Sequence, residues 1–328
     1  MSDKVLVEAV DLVKNFDVAN FFGKKAHGVV HAVSDVSLKI FEGETFSLVG
    51  ESGCGKSTLG RLLLDLIPPT SGSVLFEGTD LTKLGQNDLR KMRQKMQIIF
   101  QDPYASLNPR MKVFDIIAEP LRTHKVFKTK QELENRVKEL MDTVGIRPEA
   151  ASRYPHQFSG GQRQRIGIAR AIALNPRFIV CDEPVSALDV SIQSQILNLL
   201  CDLQKQKGLT YLFISHDLGV VRYISSRVCV MFLGKICEIG NSEEIYTRPL
   251  HPYTKFLIDA VPQPDPTLRN KERTLLTGEI PSPVNPPSGC RFHTRCPFAD
   301  KMCAEKEPEL REFDGRLVAC HFPGKFTK

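Results

Sequence analysis

The sequence predicts an α/β fold: a mixed, mostly parallel sheet with helices, a helical insertion, and a small C-terminal extension. Three observations point there. Short apolar runs alternate with helical patterns, a glycine-rich loop joins one such run to a helix, and the composition turns to proline near residue 261.

The strands come first. TFSLVG (45–50), MQIIF (96–100), FIVCD (178–182), TYLFIS (210–215) and VCVMFL (228–233) have strand length. Several are apolar without alternation, as strands buried on both faces of a mostly parallel sheet should be. KQELENRVKELMDTVGI puts Leu133, Val137, Leu140, Met141 and Val144 at helical spacing, which predicts an amphipathic helix packed on its neighbours. From about 104 to 175 the pattern is mainly helical, a helical subdomain set into the core. VPQPDP and IPSPVNPPSG then disfavour regular helix and central strand. Residues 261–289 read as a tether and 290–328 as a terminal module, giving a core over 1–260 and a tethered extension over 261–328.

Bulk properties remove several function classes. With 44 basic and 38 acidic residues the net charge is +6, which suits approach to an anionic membrane face and is too weak to argue for nucleic acid. The start, MSDKVLVEAVDLVKNF, is broken by charge every few residues and reads as no secretory signal. No run approaches the ~18 apolar residues of a membrane span. The expected compartment is the cytoplasm, where disulfides are rare.

Three motifs carry chemistry. GESGCGKST comprises Gly50, Glu51, Ser52, Gly53, Cys54, Gly55, Lys56, Ser57 and Thr58, and fits G-x-x-x-x-G-K-S/T between a strand and a helix. There the glycines let backbone N–H groups wrap phosphates, Lys56 reaches the β- and γ-phosphates, Ser57 holds Mg²⁺ and Thr58 adds a donor. FIVCDEP ends a buried strand in two acids, a costly arrangement unless a cation or substrate compensates. Asp182 is the expected Mg²⁺ partner and Glu183 the general base for the attacking water. FSGGQ, formed by Phe158, Ser159, Gly160, Gly161 and Gln162, precedes a helix and makes a second anion-binding N-terminus. One chain rarely needs two cradles for one nucleotide, so this one suits a nucleotide held by another chain.

In this order, with SALD at 186–189 and SH at 215–216, the motifs resemble the ATP-binding subunits of ATP-binding-cassette (ABC) transporters over about residues 3–260. The resemblance implies a P-loop ABC-type ATPase core working as a head-to-tail nucleotide-sandwich dimer. It implies Gln101 as the Q-loop residue sensing Mg²⁺ and the membrane subunits, Asp189 in the D-loop, and His216 as the switch histidine on the γ-phosphate. Phe16 matches the adenine-stacking position, with Phe21 or Phe22 as competitors because DVANFFGKKAHGVVHAV lengthens the connection. The implied cofactors are ATP and Mg²⁺. The implied partners are a second ATPase subunit of the same or a paralogous kind, two transmembrane permease subunits and, indirectly, a substrate-binding protein, with no nucleic acid. The expected location is peripheral, on the cytoplasmic face of the cell membrane.

Four of the nine cysteines crowd the end of the chain: Cys290, Cys296, Cys303 and Cys320, with five, six and sixteen residues between them. No C-x-x-C pair is present, yet four thiolates suit zinc or an iron–sulfur cluster, and His293 or His321 could replace one. A metal staple would supply what so short a module lacks in core. Cys181, Cys201, Cys229 and Cys237 read as core, and Cys54 as a small residue that fits its loop. RPLHPYTKFLIDAVP, EIPSPVNPPSGCRFHTRCPFA, VACHF and QDPYASLNPR resemble the dipeptide/oligopeptide permease ATPases. That resemblance implies a 4Fe–4S cluster on the four cysteines, with zinc the alternative, and import of di- or oligopeptides. Nickel or another small solute, or a non-transport ABC ATPase, remains the alternative function.

Overall fold

Residues 4–19, 25–261 and 278–326 are described by the structure, a computed structural model. Phe21 and Phe22 lie outside them, as does most of the proline-rich tether.

The chain runs β1 (Val5–Ala19), β2 (Lys25–Phe41), β3 (Thr45–Val49), α1 (Lys56–Leu63), β4 (Ser71–Phe76), β5 (Thr79–Asp80), α2 (Gln86–Met92) and β6 (Met96–Ile99). It continues through α3 (Val113–Thr123), α4 (Lys130–Thr143), α5 (Gly160–Ile172), β7 (Phe178–Asp182), α6 (Val190–Lys207) and β8 (Thr210–Ile214). It ends with α7 (Leu218–Ile224), β9 (Arg227–Phe232), β10 (Lys235–Asn241), α8 (Ser242–Thr247), α9 (Pro252–Asp259), α10 (Lys301–Glu305), β11 (Arg311–Phe313) and β12 (Arg316–Val318). The five strands expected from apolar runs are all present, each within a residue of its predicted limits. Two compact units result: one of Phe41–Glu44 and Lys83–Ile214, the other of Lys4–Ile40, Thr45–Thr82 and the chain from Ser215 on.

In the first unit β6, β7 and β8 pair in parallel, Met96 opposite Phe178 and Phe178 opposite Thr210. β7 and β8 are buried at every residue, which explains their lack of alternation. α4 starts on a capping box: Thr129 Oγ1 accepts from the Glu132 N–H, and Glu132 accepts from the Thr129 N–H. Its Val137, Leu140 and Met141 are buried, with Val144 just beyond, as the periodicity predicts. α5 packs against α3, α4 and α6.

The second unit holds two sheets. One runs in the order β2-β1-β4-β5, with β1 and β5 each antiparallel to β4. The sequence reading did not anticipate it, because its strands are amphipathic and charged on one side. In VSDVSLKI, Val36, Leu38 and Ile40 are buried while Asp35, Ser37 and Lys39 are exposed, a period of two. The other sheet runs β11-β12-β10-β9-β3 in this unit, with β3 parallel to β9 and the rest antiparallel.

The C-terminal extension thus leans on the sheet. β12 joins β10, with Leu317 opposite Ile239 and Val318 opposite Glu238. Phe292, 1% exposed, sits among Phe232, Tyr253, His251 and Phe256, its ring centroid 5.2 Å from that of Tyr253. Arg316 and Glu238, both fully buried, form an ion pair at 3.3 Å. The apolar surface so short a segment could not supply itself comes from β10 and α9.

Candidate functional site

The glycine loop between β3 and α1 is shaped as its composition requires. Gly50 (φ 151°) and Gly55 (φ 105°) adopt conformations that L side chains avoid, and a Cβ on either would lie 2.1 Å from a carbonyl oxygen, of Met231 and Ala32 respectively. Lys56 is 5% exposed, and its ammonium donates to the carbonyls of Gly50 (2.8 Å) and Glu51 (3.0 Å). A buried charge is tolerable only with such partners. Cys54 is 3% exposed, and burial pushes its thiol up although nearby Lys56 pulls the other way. It is therefore a poor nucleophile that fills space, as the sequence reading has it.

Glu51 is held through three groups. Its N–H donates to the Tyr253 hydroxyl (2.9 Å) and its carbonyl accepts from Lys56. Its carboxylate takes both arms of Arg295, at 2.8 and 3.2 Å. Ser52, Gly53 and Cys54 face Ile280, Pro281 and Pro283 across a cavity of about 120 Å³. Sequence reasoning missed Arg295 and Tyr253. Arg295 lies 244 residues from Glu51, and nothing local marks it beyond its place beside Cys296.

In the other unit Gln101 and Glu183 meet: Gln101 Nε2 donates to Glu183 Oε2 at 2.8 Å. Glu183 follows the last residue of β7 at φ 47°, a strained value for a side chain with a Cβ, and its N–H is tied to the Ile214 carbonyl at 3.0 Å. Asp182, the strand's last residue, is 4% exposed. Ser159 caps α5, its Oγ accepting from the Gln162 N–H (3.3 Å) while Gln162 Oε1 accepts from the Ser159 N–H (3.0 Å). Gln162 therefore builds the helix start. Gly161 has a packing reason too, since a Cβ there would lie 2.4 Å from Ile192 Cγ2 of α6. Phe158 is buried, and Asp189 caps α6 by its backbone alone and is exposed. In the second unit His216 is exposed, and Phe16 is 40% exposed on β1 with Lys14 Nζ 5.1 Å from its ring centroid.

Cys290, Cys296, Cys303 and Cys320 line one small cavity with His293 and His321. Burial pushes Cys290 up to about 12 and Cys320 to about 11, and the neighbouring cysteines add to both. Among the described residues, however, no group of three or more His, Cys, Asp or Glu is gathered closely enough to hold a metal ion. The metal-binding character expected of the extension is thus not carried by its geometry. The thiol donor set fits four-thiolate chemistry in kind, but its members are not gathered at ligand distance. Of the four cysteines read as core, Cys181, Cys229 and Cys237 are buried and Cys201 only half so. Among the described residues no helix is long and apolar enough to cross a membrane.

A strand–glycine-loop–helix unit with a buried lysine, together with a buried strand that ends in Asp182 and is followed by Glu183, defines a P-loop nucleotide triphosphatase. Residues 33–186 match the ABC transporter family, and residues 237–303 match the oligopeptide/dipeptide transporter C-terminal region. The chain is 53% identical over 322 residues to the oligopeptide transport ATP-binding protein OppF of Salmonella typhimurium, covering 97% of this chain and 96% of that protein. It is 52% identical over 323 residues to the oligopeptide transport ATP-binding protein AppF of Bacillus subtilis, covering 98% of each. Among solved structures it is similar to the ATP-binding cassette MJ0796 in a dimeric post-hydrolysis state bound to ADP and Pi. That match has a TM-score of 0.65 and 30% identity, over 72% of this chain and 99% of that one. The chain belongs to the ABC transporter ATP-binding proteins, in the group that carries the oligopeptide/dipeptide transporter C-terminal region.

Proposed function

We propose that this chain hydrolyses ATP to drive oligopeptide import through a membrane permease. The observation that carries the reading is the Gln101–Glu183 hydrogen bond beside the end of β7, which joins the two side chains the chemistry needs. ATP phosphates lie on the loop 50–58, where Lys56 exchanges its two carbonyl partners for β- and γ-phosphate oxygens, and Phe16 stacks on adenine. Ser57, Gln101 and Asp182 would hold Mg²⁺, which would supply positive charge against the phosphates. Glu183 accepts the proton of a water that attacks the γ-phosphorus; the bond to the bridging oxygen breaks and ADP leaves. His216 steadies the γ-phosphate. Ser159, Gly160 and Gly161 face the γ-phosphate of a second subunit's ATP, and Asp189 meets that subunit. The capped N-terminus of α5, with N–H groups beyond its cap, supports this assignment.

The subunit sits at the cytoplasmic membrane face, bound to two permease subunits and a like or paralogous ATPase. Peptide as cargo is supported by the names of the relatives and by the match over 237–303. The four terminal cysteines line one cavity but would have to draw closer to hold a 4Fe–4S cluster or zinc, which would then supply a cross-link. The test of the central claim is Glu183→Gln, which should keep ATP binding and slow hydrolysis by about 10²–10⁴. Near-normal turnover would remove Glu183 from its role.

A further inference from the structure

We propose that Arg295, from the C-terminal extension, is a positioning residue of the phosphate loop: it neutralises and holds Glu51, so the extension sets how well the loop accepts a nucleotide. An acid at the second position of an anion-binding loop is an electrostatic liability. Its carboxylate repels the phosphates that the surrounding N–H groups and Lys56 attract. Here that carboxylate takes two parallel bonds from a planar guanidinium, the geometry in which arginine matches a carboxylate best. Arg295 is 8% exposed, and its Nε has no hydrogen-bond partner among the described residues. Its guanidinium carbon lies 5.9 Å from the Phe232 ring centroid, so Glu51 is its charge partner. The other two holds on Glu51 differ in kind. Tyr253 fixes its N–H, and Lys56, which grips its carbonyl, is the group that must leave for the phosphates. Once Lys56 turns to a nucleotide, Arg295 keeps the Glu51 side chain both placed and neutral. Its neighbour is Cys296, so the link runs from the cysteine segment directly to the loop.

The inference rests on reading residues 50–58 as the ATP cradle. The test measures trinitrophenyl-ATP binding and steady-state ATPase on the full chain, for wild type, Arg295→Gln, Glu51→Gln and the double variant. Absence of saturable binding by wild type would overturn the cradle itself. With binding intact, Arg295→Gln should raise the KM for ATP about tenfold with kcat within about twofold, since what is lost is affinity for an anion and not a group at the reacting atoms. Glu51→Gln is the fourth corner of the cycle, measured so that the double variant can be compared with both single variants and with wild type. The double variant should return to within about threefold of wild type, because neither charge remains. An unchanged KM in Arg295→Gln, or a double variant as weak as Arg295→Gln, would overturn the inference. Should Arg295→Gln not fold, Arg295→Lys carries the test, because it keeps the charge and loses the fork. A KM within about threefold supports the proposal, and a tenfold rise overturns it.

Discussion

Arg316→Met should cost the extension its seat on the sheet. Arg316 Nη1 donates to Glu238 Oε1 (3.3 Å), to the Glu244 carbonyl (3.2 Å) and to the Arg248 carbonyl (2.8 Å). Glu238 also accepts from the backbone N–H of Leu250 (3.0 Å) and of His251 (2.9 Å). Methionine fills much the same volume but leaves a fully buried carboxylate with backbone donors and no cation. Removing one member of such a pair costs about 3–5 kcal/mol. The pair is imperfect, since Arg316 Nε and Nη2 lack hydrogen-bond partners among the described residues, so deleting both charges should cost far less. Glu238→Gln with Arg316→Met keeps an acceptor for the two N–H groups and should recover most of the loss. Burial already holds the Glu238 carboxyl above its ordinary range, against the pull of the His251 and Leu250 N–H groups and Arg316. A group raised in the folded state favours folding below its unfolded pKa and loses that contribution as pH rises through the folded value. The deficit of Arg316→Met should therefore be large at neutral pH and shrink on acidification toward Glu238 protonation. The chain has no tryptophan, so native-state hydrogen exchange over 235–241 and 316–318 is the suitable assay. A loss below about 1 kcal/mol, or a double variant no better than the single, would refute the reasoning.

Two further expectations concern the proposed assignments. Gly160→Asp should leave ATP binding by the monomer intact and abolish the ATP-dependent dimer, read by size-exclusion chromatography. Position 160 suits this better than 161, because a Cβ there meets Leu188 Cδ2 only at 3.4 Å; a persistent dimer would misplace the cradle assigned to residues 158–162. Protein purified without oxygen should be brown and carry iron and sulfide near four per chain, as a four-cysteine cluster of that type requires. Cys303→Ser should remove both and raise exchange in 290–303, and colourless protein with one zinc would replace the cluster while keeping the cross-link.

The parts legible in the sequence were those whose physics is local. Strands buried on both faces announce themselves as unbroken apolar runs, and a glycine loop between strand and helix is defined by its own nine residues. The helix over 130–143 showed through Val137, Leu140 and Met141. What escaped depends on remote partners or on one-sided burial. β1 and β2 carry charge on one face and so read as interrupted. Tyr253 on Glu51, Arg295 on Glu51 and Arg316 on Glu238 each join residues far apart in the chain, and only the folded topology brings them together. The extension read as too small for a core because the apolar surface it uses, on Phe232, Tyr253 and β10, belongs to the rest of the chain.

The short pairing of β12 with β10 also governs what the protein shows to other chains. Without it, β10 would present a bare row of N–H and C=O groups to any passing strand, the usual template for self-association. The hairpin moves that boundary outward to β11, three residues long and exposed throughout, with Arg311 and Glu312 charged, where stacking another strand is unfavourable. Since β10 is synthesised some 75 residues before β12, every nascent chain passes through a stage with an uncapped edge. Aggregation of this protein should accordingly be most severe for truncations ending between Asn241 and Arg311.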